Sequence, residues 1–361
     1  MKSKLKLFFI WIVVLVFIVS CQHRDDQQPL EMGPEISGSW PAWESYEAAG
    51  WSPEGIAQAK SYWQNLASAA VVVVYQNRVL IAWGSVQQNF WTHSVRKSFM
   101  SAVYGIYVDR GMINLEKTLA ELGIDDEPPL TEAEKRAKII DLLQARSGVY
   151  HTAAAETESM HDYKPDRGSY GPGEFWCYNN WDFNVLATIF DQETDTDFFS
   201  ALYQDLNQQL GMEDYQPEEN QYSYQLDRSI HPAYGFTISA RDSARFGQLY
   251  LQEGRWGSQQ IISSSWISIS TAPVSDSSSY FPGTFYGYMW WIFPAGYGAD
   301  AGLNHVSRYQ SYAALGAYGQ VIQVIPALDL VFVHRVNSFI GNQVTFNNIF
   351  KLLNRILAAR N

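Results

Sequence analysis

The sequence predicts an α/β protein of the α+β kind: an antiparallel sheet built from both ends of the chain and flanked by helices, with a mainly helical subdomain inserted between. Three observations predict it. A helix signal and a hairpin signal open the folded part of the chain, helical patterns dominate from Ser94 to about Trp266, and strand-length segments followed by one amphipathic helix close it. Strands confined to the two ends can form one sheet only if the ends meet.

Ser52-Pro53 supplies an N-cap and a proline at the first helical position, opening a helix that runs to about Ala67. Val71 to Val74 are a β-branched run, and after a turn at Gln76-Asn77 comes Val79 to Trp83, which together read as a hairpin. The helical middle holds Ser94–Arg110, stopped by Gly111, then Ile139–Ala145, Trp181–Phe190, Phe198–Leu210 and Ala240–Leu251. In the first of these, Val95, Phe99, Ala102, Val103 and Ile106 predict one buried stripe. Ser263 to Ser279 is serine-rich and reads as a surface loop. Tyr286–Phe293, Tyr312–Leu315, Gln320–Ile325 and Leu330–Val336 read as strands. A helix over about Asn342–Ala359 ends the chain, with Phe346, Ile349, Phe350, Leu353, Ile356 and Leu357 on one face. No internal repeat interrupts this order.

Residues 1–20 carry Lys2, Lys4 and Lys6 ahead of an apolar run and read as a secretory signal peptide. An uncleaved anchor is the alternative, although the run is short for a spanning helix. Ile18-Val19-Ser20-Cys21 resembles the lipobox of bacterial lipoproteins, which implies acylation of Cys21 and an exported protein held by lipid to a bacterial membrane, facing the periplasm or the cell exterior. Residues 21–50 are polar with scattered Pro and Gly, as a tether would be, and residues 51–361 form the folded domain. Loss of residues 1–20 takes the formal charge from −12 to −15, because three lysines and no acids leave with them. Such a balance excludes nucleic acid as a partner and leaves membrane contact to the lipid. With Cys21 lipidated, Cys177 stands alone, so no internal disulfide is expected and the core holds by packing. A chain of 361 residues, 47% hydrophobic, can bury such a core.

"HSVRKSFMSA" (His93–Ala102) sets Ser94 and Lys97 three positions apart at the head of a helix, on one side. A serine hydroxyl is a weak nucleophile until a base takes its proton, and lysine serves once burial lowers its pKa. The Ser94 amide, at the positive end of the helix, suits a developing oxyanion. A plainer alternative has Ser94 as an N-cap and Lys97 in solvent. Ser3 to Lys6 repeats the spacing inside the signal segment, so spacing alone does not decide. "PGEFWCYNN" (Pro172–Asn180) then places Tyr178 and Asn180 after a Pro-Gly turn and before an apolar helix.

Together "SVRK" and "YNN" resemble the first two motifs of the serine β-lactamase and penicillin-binding superfamily, in the Tyr-x-Asn form of class C β-lactamases, DD-peptidases, related esterases and nylon-oligomer hydrolases. "DLLQARSG" (Asp141–Gly148), "GFTISARDSARFGQLYL" (Gly235–Leu251) and "GQVIQVIPALDLVFVHRV" (Gly319–Val336) are similar to segments of that family in the expected order, from about Trp51 onward. The resemblance implies a β-lactamase/DD-peptidase-like fold, with Ser94 as the acylated nucleophile and Lys97 as its partner base. It implies Tyr178 as a second base or proton relay to the leaving group, and Asn180 as a hydrogen-bond partner of Lys97 or substrate.

The third motif departs from the family. Where relatives carry Lys-Thr-Gly or His-x-Gly, this chain has "ALGAYGQ" (Ala314–Gln320), without a basic residue. Gly316 still lets substrate approach the backbone, an amide near Ala317 can complete an oxyanion hole, and Tyr318 stands beside them as a substrate contact. His305 and Arg308 are the candidates for a replacement cation, with surface solvation as their competing role. The expectation is therefore a serine hydrolase that cleaves an ester or amide through a Ser94 acyl-enzyme, on a small-molecule or peptidoglycan-like substrate. A β-lactamase or DD-peptidase of the class C type is the alternative, and a catalytically silent sensor or binding protein the reading from another class. Tyr286, Tyr288, Trp290, Trp291, Phe293 and Trp176 read as core, some of them walling an apolar cleft, and Cys177 as a buried structural thiol. No Gly-x-Ser-x-Gly elbow, His-Glu-x-x-His helix or Gly-rich phosphate loop is present, and the histidines lack metal-ligand spacing, so neither cofactor nor metal is expected.

Overall fold

The computed structural model describes residues 40–361, so the signal peptide, the lipidation site at Cys21 and the tether up to residue 39 lie outside the described residues. Residues 40–50, expected to end the tether, are instead docked on the first hairpin. Trp43 N donates to Val79 O at 2.9 Å, its indole donates to Tyr75 O at 3.0 Å, and Tyr46 is buried.

Helix α1 (Pro53–Gln64) begins where its cap predicts, the Ser52 hydroxyl accepting from Gly55 N. Strands β1 (Ala70–Tyr75) and β2 (Arg78–Gly84) are joined by Gln76 and Asn77, both left-handed (φ 49° and 57°), as a two-residue hairpin turn demands. After β3 (Phe90–Trp91) come α2 (Arg96–Asp109), α3 (Leu119–Leu122), α4 (Ile139–Leu143), α5 (Glu158–Asp162), α6 (Asn180–Thr194) and α7 (Phe198–Ala201). Strands β4 (Gln221–Gln225), β5 (Ser229–Gly235) and β6 (Thr237–Ile238) precede α8 (Ala240–Leu251), whose boundaries match expectation. The rest comprises β7 (Arg255–Trp256), β8 (Gln259–Gln260), α9 (Ser264–Ser270), β9 (Ser275–Asp276), β10 (Phe285–Tyr286), β11 (Trp291–Phe293), β12 (Ser311–Gly316), β13 (Gln320–Ile325), β14 (Leu330–Arg335) and α10 (Phe346–Ala358).

The main sheet has eight strands in the order β2-β1-β14-β13-β12-β11-β10-β9. Its pairings are antiparallel, and β1 against β14 (Val72 opposite Val333) joins the two ends of the chain. Residues of β1, β12, β13 and β14 are buried along their whole lengths, so both faces are covered, which suits their unbroken apolar runs. Helix α8, grouped by its sequence with the helical middle, packs on β1, β13 and β14. There Gly247 permits contact: a Cβ would stand 2.5 Å from Val331 Cγ1.

Four expectations change. Helix α2 is buried all round from Arg96 to Tyr107 rather than along one stripe, because it runs between α6, α7 and the end of β12. Tyr286–Phe293 is a hairpin, not one strand, reversing through Gly287–Trp290 with Met289 at φ 62°. Phe198–Leu210 starts as α-helix and passes into a π-helical turn at Leu202–Asn207. In the serine-rich stretch, Ser263 caps α9 by accepting from Trp266 N, and the Trp266 ring packs on α2 where Gly105 leaves room. Among the described residues no helix is long and apolar enough to cross a membrane.

Candidate active site

Ser94 lies in a 3₁₀ turn (His93–Val95) between β3 and α2, and the chain enters it through His93 at φ 48°. The entry is pinned from behind. Thr92 donates to Phe236 O through both its amide (3.1 Å) and its hydroxyl (2.8 Å), and buried Arg335 of β14 donates to Phe90 O at 2.6 Å. No side chain caps either the turn or α2, so the N-cap role for Ser94 is not the one the fold uses. Its hydroxyl instead receives a hydrogen bond from Lys97 Nζ at 3.0 Å. The same nitrogen donates to the Tyr178 hydroxyl at 2.6 Å.

Lys97 is not in solvent. It is 1% exposed, its amine lies 4.1 Å from the Tyr178 ring centre and 4.5 Å from that of Phe183, and among the described residues no carboxylate pairs with it. Burial first, and the Arg96 charge second, hold its pKa well below the ordinary lysine value. Burial drives the Tyr178 hydroxyl the other way, well above the usual phenol range, with a hydrogen bond to Ser94 opposing it. Burial thus favours the neutral amine at Lys97 and the protonated phenol at Tyr178.

Tyr178 is positioned by its neighbours. Cys177 N donates to Ala145 O at 2.9 Å, and Asn179 caps α6 by accepting from Trp181 N while its own amide donates to Val149 O at 2.6 Å. Asp182 Oδ1 accepts from Ser147 Oγ (2.6 Å) and Asn179 Nδ2 (3.2 Å), and burial raises this carboxyl well above its ordinary pKa. Asp141–Gly148 thereby forms a platform under the tyrosine. Of the two partners expected for Asn180, Lys97 is not the one it bonds: its side-chain amide donates to Ala155 O at 2.7 Å and its side-chain oxygen has no protein partner, which leaves the substrate role open to it. It is the first residue of α6, and its side-chain amide bonds the loop at Ala155.

The end of β12 lies against the nucleophile. A Cβ on Gly316 would stand 2.6 Å from Thr92 O and 3.2 Å from Ser94 N, so only glycine lets the strand come this close. Ala317 follows, then Tyr318 at φ 65°, its ring centre 4.8 Å from that of His93. Ser94, Lys97, Tyr178, Gly316, Ala317 and Tyr318 are therefore assembled in one place, and Asn180 adjoins it.

Among the described residues, the cations nearest the nucleophile each bond to groups of the protein itself. His305 and Arg308 line a separate cavity of about 200 Å³ beside Arg360 and Asn361. Arg96 donates to His93 O (3.3 Å) and Asn184 Oδ1 (3.4 Å), with its guanidinium 4.8 Å from the Tyr234 ring. His93 shares a hydrogen bond with Ser338 Oγ at 2.8 Å, and burial, with the charges of Arg335 and Arg96, pushes its pKa down to about 4. Sequence reasoning missed all three: Arg335 is brought in by tertiary structure from β14, whereas His93 and Arg96 stand inside the quoted His93–Ala102 stretch, where only their contacts reveal that they border the site.

Of the expected aromatic wall, Trp176, Tyr286 and Trp291 surround Tyr178, with ring centres 6.5, 6.0 and 5.3 Å away. Tyr280, just beyond the serine-rich stretch, joins them at 5.5 Å and was missed because that stretch read as surface. Tyr288 packs on Trp266, Trp290 on Tyr250 and Phe293 on Phe350, all away from the site. The Cys177 thiol is buried and its pKa pushed up to about 12, which leaves it unreactive. Among the described residues no cluster of His, Cys, Asp and Glu could hold a metal ion.

A family model described as Beta-lactamase matches residues 56–353. An uncharacterized protein of Alkalihalophilus pseudofirmus is 22% identical over 313 residues, covering 77% of this chain and 86% of the relative. Among solved structures, a Bacillus anthracis protein assigned as a 6-aminohexanoate-dimer hydrolase superposes with a TM-score of 0.60 at 19% identity, over 83% of this chain and 80% of that one. A β-lactamase from Mycobacterium bovis superposes with a TM-score of 0.55 at 19% identity, over 83% and 97% of the two chains. At these identities the superpositions establish the fold.

Proposed function

Since the chain belongs to the beta-lactamase family of serine hydrolases, we propose that it cleaves an uncharged ester or amide through an acyl-enzyme on Ser94. The observation that carries this reading is the buried Lys97 amine, which touches the Ser94 and Tyr178 hydroxyls together and has no acid to hold it charged.

Lys97 Nζ accepts the Ser94 proton as Oγ bonds to the substrate carbonyl carbon. The carbonyl electron pair moves to oxygen, where the amides of Ser94 and Ala317 receive it. As the tetrahedral intermediate collapses, the departing oxygen or nitrogen takes the Tyr178 proton, and the Lys97 ammonium reprotonates the phenolate. Amine and phenol are thus restored, the alcohol or amine leaves, and the acyl group stays on Ser94. Water then repeats the sequence with the same pair and releases the acid.

The substrate preference rests on charge. A β-lactam or peptidoglycan stem presents a carboxylate, and here β12 offers no cation, His93 is neutral near pH 7, and Arg96 and Arg335 are turned to carbonyl oxygens within the protein. The silent-sensor reading is disfavoured because the missing cation leaves the Ser94–Lys97–Tyr178 contacts intact. Paired labelling tests all three readings. A fluorophosphonate is expected to modify Ser94 and a fluorescent penicillin to leave it free. Labelling by both would make the protein a penicillin-recognising enzyme, and labelling by neither a silent one.

Export and anchorage belong to the same proposal, supported by the sequence of residues 1–21. Mass spectrometry of the mature protein should find an acylated Cys21 as the first residue, and a chain that still begins at Met1 ends that part of the proposal.

A further inference from the structure

Two loops bring large apolar side chains to the surface beside the nucleophile. Tyr318, in the turn between β12 and β13, is 46% exposed, and Phe339 and Ile340, in the loop after β14, are 67% and 70% exposed. Both loops are tied to His93, the residue preceding Ser94: the Tyr318 ring lies 4.8 Å from the imidazole, and Ser338, next to Phe339, shares a 2.8 Å hydrogen bond with it. The Phe339 ring stands 6.4 Å from that of Trp91, two residues before His93. Tyr318 O also accepts from Val344 N at 3.0 Å, which joins the two loops. Leaving such side chains in water forfeits burial energy, and here they are grouped at the rim of a site whose nearby arginines, Arg96 and Arg335, bond to oxygens of the protein itself.

We propose that Tyr318, Phe339 and Ile340 form a subsite for an alkyl chain on the acyl side of the substrate. This inference rests on the acyl-transfer reading of Ser94. The side is assigned by the reaction: Tyr178 protonates the leaving group, the Ser94 and Ala317 amides hold the oxyanion, and the remaining substituent of the carbonyl carbon is the acyl chain. Tyr318 adjoins Ala317, so that chain runs out along the β12–β13 turn toward Phe339 and Ile340. Neutral His93, between Tyr318 and Ser338, keeps the floor of this subsite uncharged.

Each methylene laid on such an open surface is about half withdrawn from water and contributes about twofold to kcat/KM. With one aryl leaving group held constant, kcat/KM should therefore climb from acetyl through butyryl to octanoyl esters, by on the order of 100-fold across the series. The double variant Phe339→Ser, Ile340→Ser removes only exposed side chains, so its melting temperature should stay within a few degrees of wild type. Its octanoyl-to-acetyl ratio should fall at least tenfold. A wild-type series that is flat, a rate that follows the alcohol rather than the acyl chain, or a variant that keeps the wild-type ratio overturns the subsite while leaving acyl transfer at Ser94 standing. If no ester in the series turns over in a Ser94-dependent way, the acyl-transfer reading itself falls and the subsite with it.

Discussion

Lys97→Ala is expected to lower kcat/KM for an activated ester by about 10³-fold or more and to abolish fluorophosphonate labelling of Ser94, with the melting temperature close to wild type. The two halves of this result have one cause. The Lys97 amine is the base that accepts the serine proton and the only nitrogen among the described residues bonded to both the Ser94 and Tyr178 hydroxyls. It is also a polar group buried without a counterion, so its removal relieves a desolvation cost while it opens a cavity, and the two effects oppose each other in stability. Lys97→Arg should be as inactive as the alanine variant, because a guanidinium keeps its proton throughout the working range. The pH profile supplies a second check. Burial and the neighbouring Arg96 hold the Lys97 pKa well below 10.5, so the reactive amine form is already present at pH values where a solvated lysine would be charged. The rate should fall on the acid side as the amine takes up a proton and reach its plateau well short of pH 10. A profile still climbing through pH 10, or labelling that survives in Lys97→Ala, would mean that the serine is activated by some other group.

How much of this was legible beforehand varies with how local each signal is. The β1–β2 hairpin, the start of α1 and the limits of α8 were read correctly because their determinants sit inside the segments themselves: Gln76-Asn77 in the turn, Ser52 and Ser239 as caps. The joining of the chain ends followed from strand signals at both ends alone. The all-round burial of α2 was hidden, since its Arg96, Lys97, Ser98 and Ser101 look like a polar face until α6, α7 and the sheet surround them. The β10–β11 reversal was hidden too, because nothing in Gly287–Trp290 announces a left-handed methionine. At the site, Ser94, Lys97 and Tyr178 were legible as motif residues, but which asparagine does what was not. Asn179 takes the capping role and Asn180 bonds Ala155, a division made by helix α6 and the loop it meets. The missing third-motif base was visible in "ALGAYGQ", whereas the absence of a substitute required seeing His305 and Arg308 placed elsewhere.

Gly316→Ala is the second substitution with a large expected effect, and it acts through space rather than chemistry. Gly316 has φ −132°, an extended conformation open to any residue, so backbone freedom is not why glycine stands there. The reason is proximity: the added methyl would meet Thr92 O at 2.6 Å, closer than side-chain carbons come to backbone oxygens, and Ser94 N at 3.2 Å. Neither neighbour can yield cheaply. The Thr92 amide and hydroxyl are both bonded to Phe236 O, and Gly316 is itself paired with Gln320 on β13. The strand end and the 3₁₀ turn must therefore separate by some fraction of an ångström, which carries the Ala317 amide away from the Ser94 amide. Because an oxyanion is held only by donors at hydrogen-bond distance, the loss should appear as a fall of roughly 10²–10³-fold in kcat, with a much smaller change in KM. The steric conflict should also cost about 1–3 kcal/mol of stability. Neither Lys97 nor Tyr178 is among the atoms the added methyl would meet, so the Ser94–Lys97–Tyr178 contacts should persist and the variant keeps its activated serine while losing its oxyanion site. Phosphonylation, whose transition state also puts charge on an oxygen in that site, should slow in parallel with ester hydrolysis. Near-wild-type turnover by a folded Gly316→Ala protein would show that the oxyanion is received somewhere other than between β12 and the amide of Ser94.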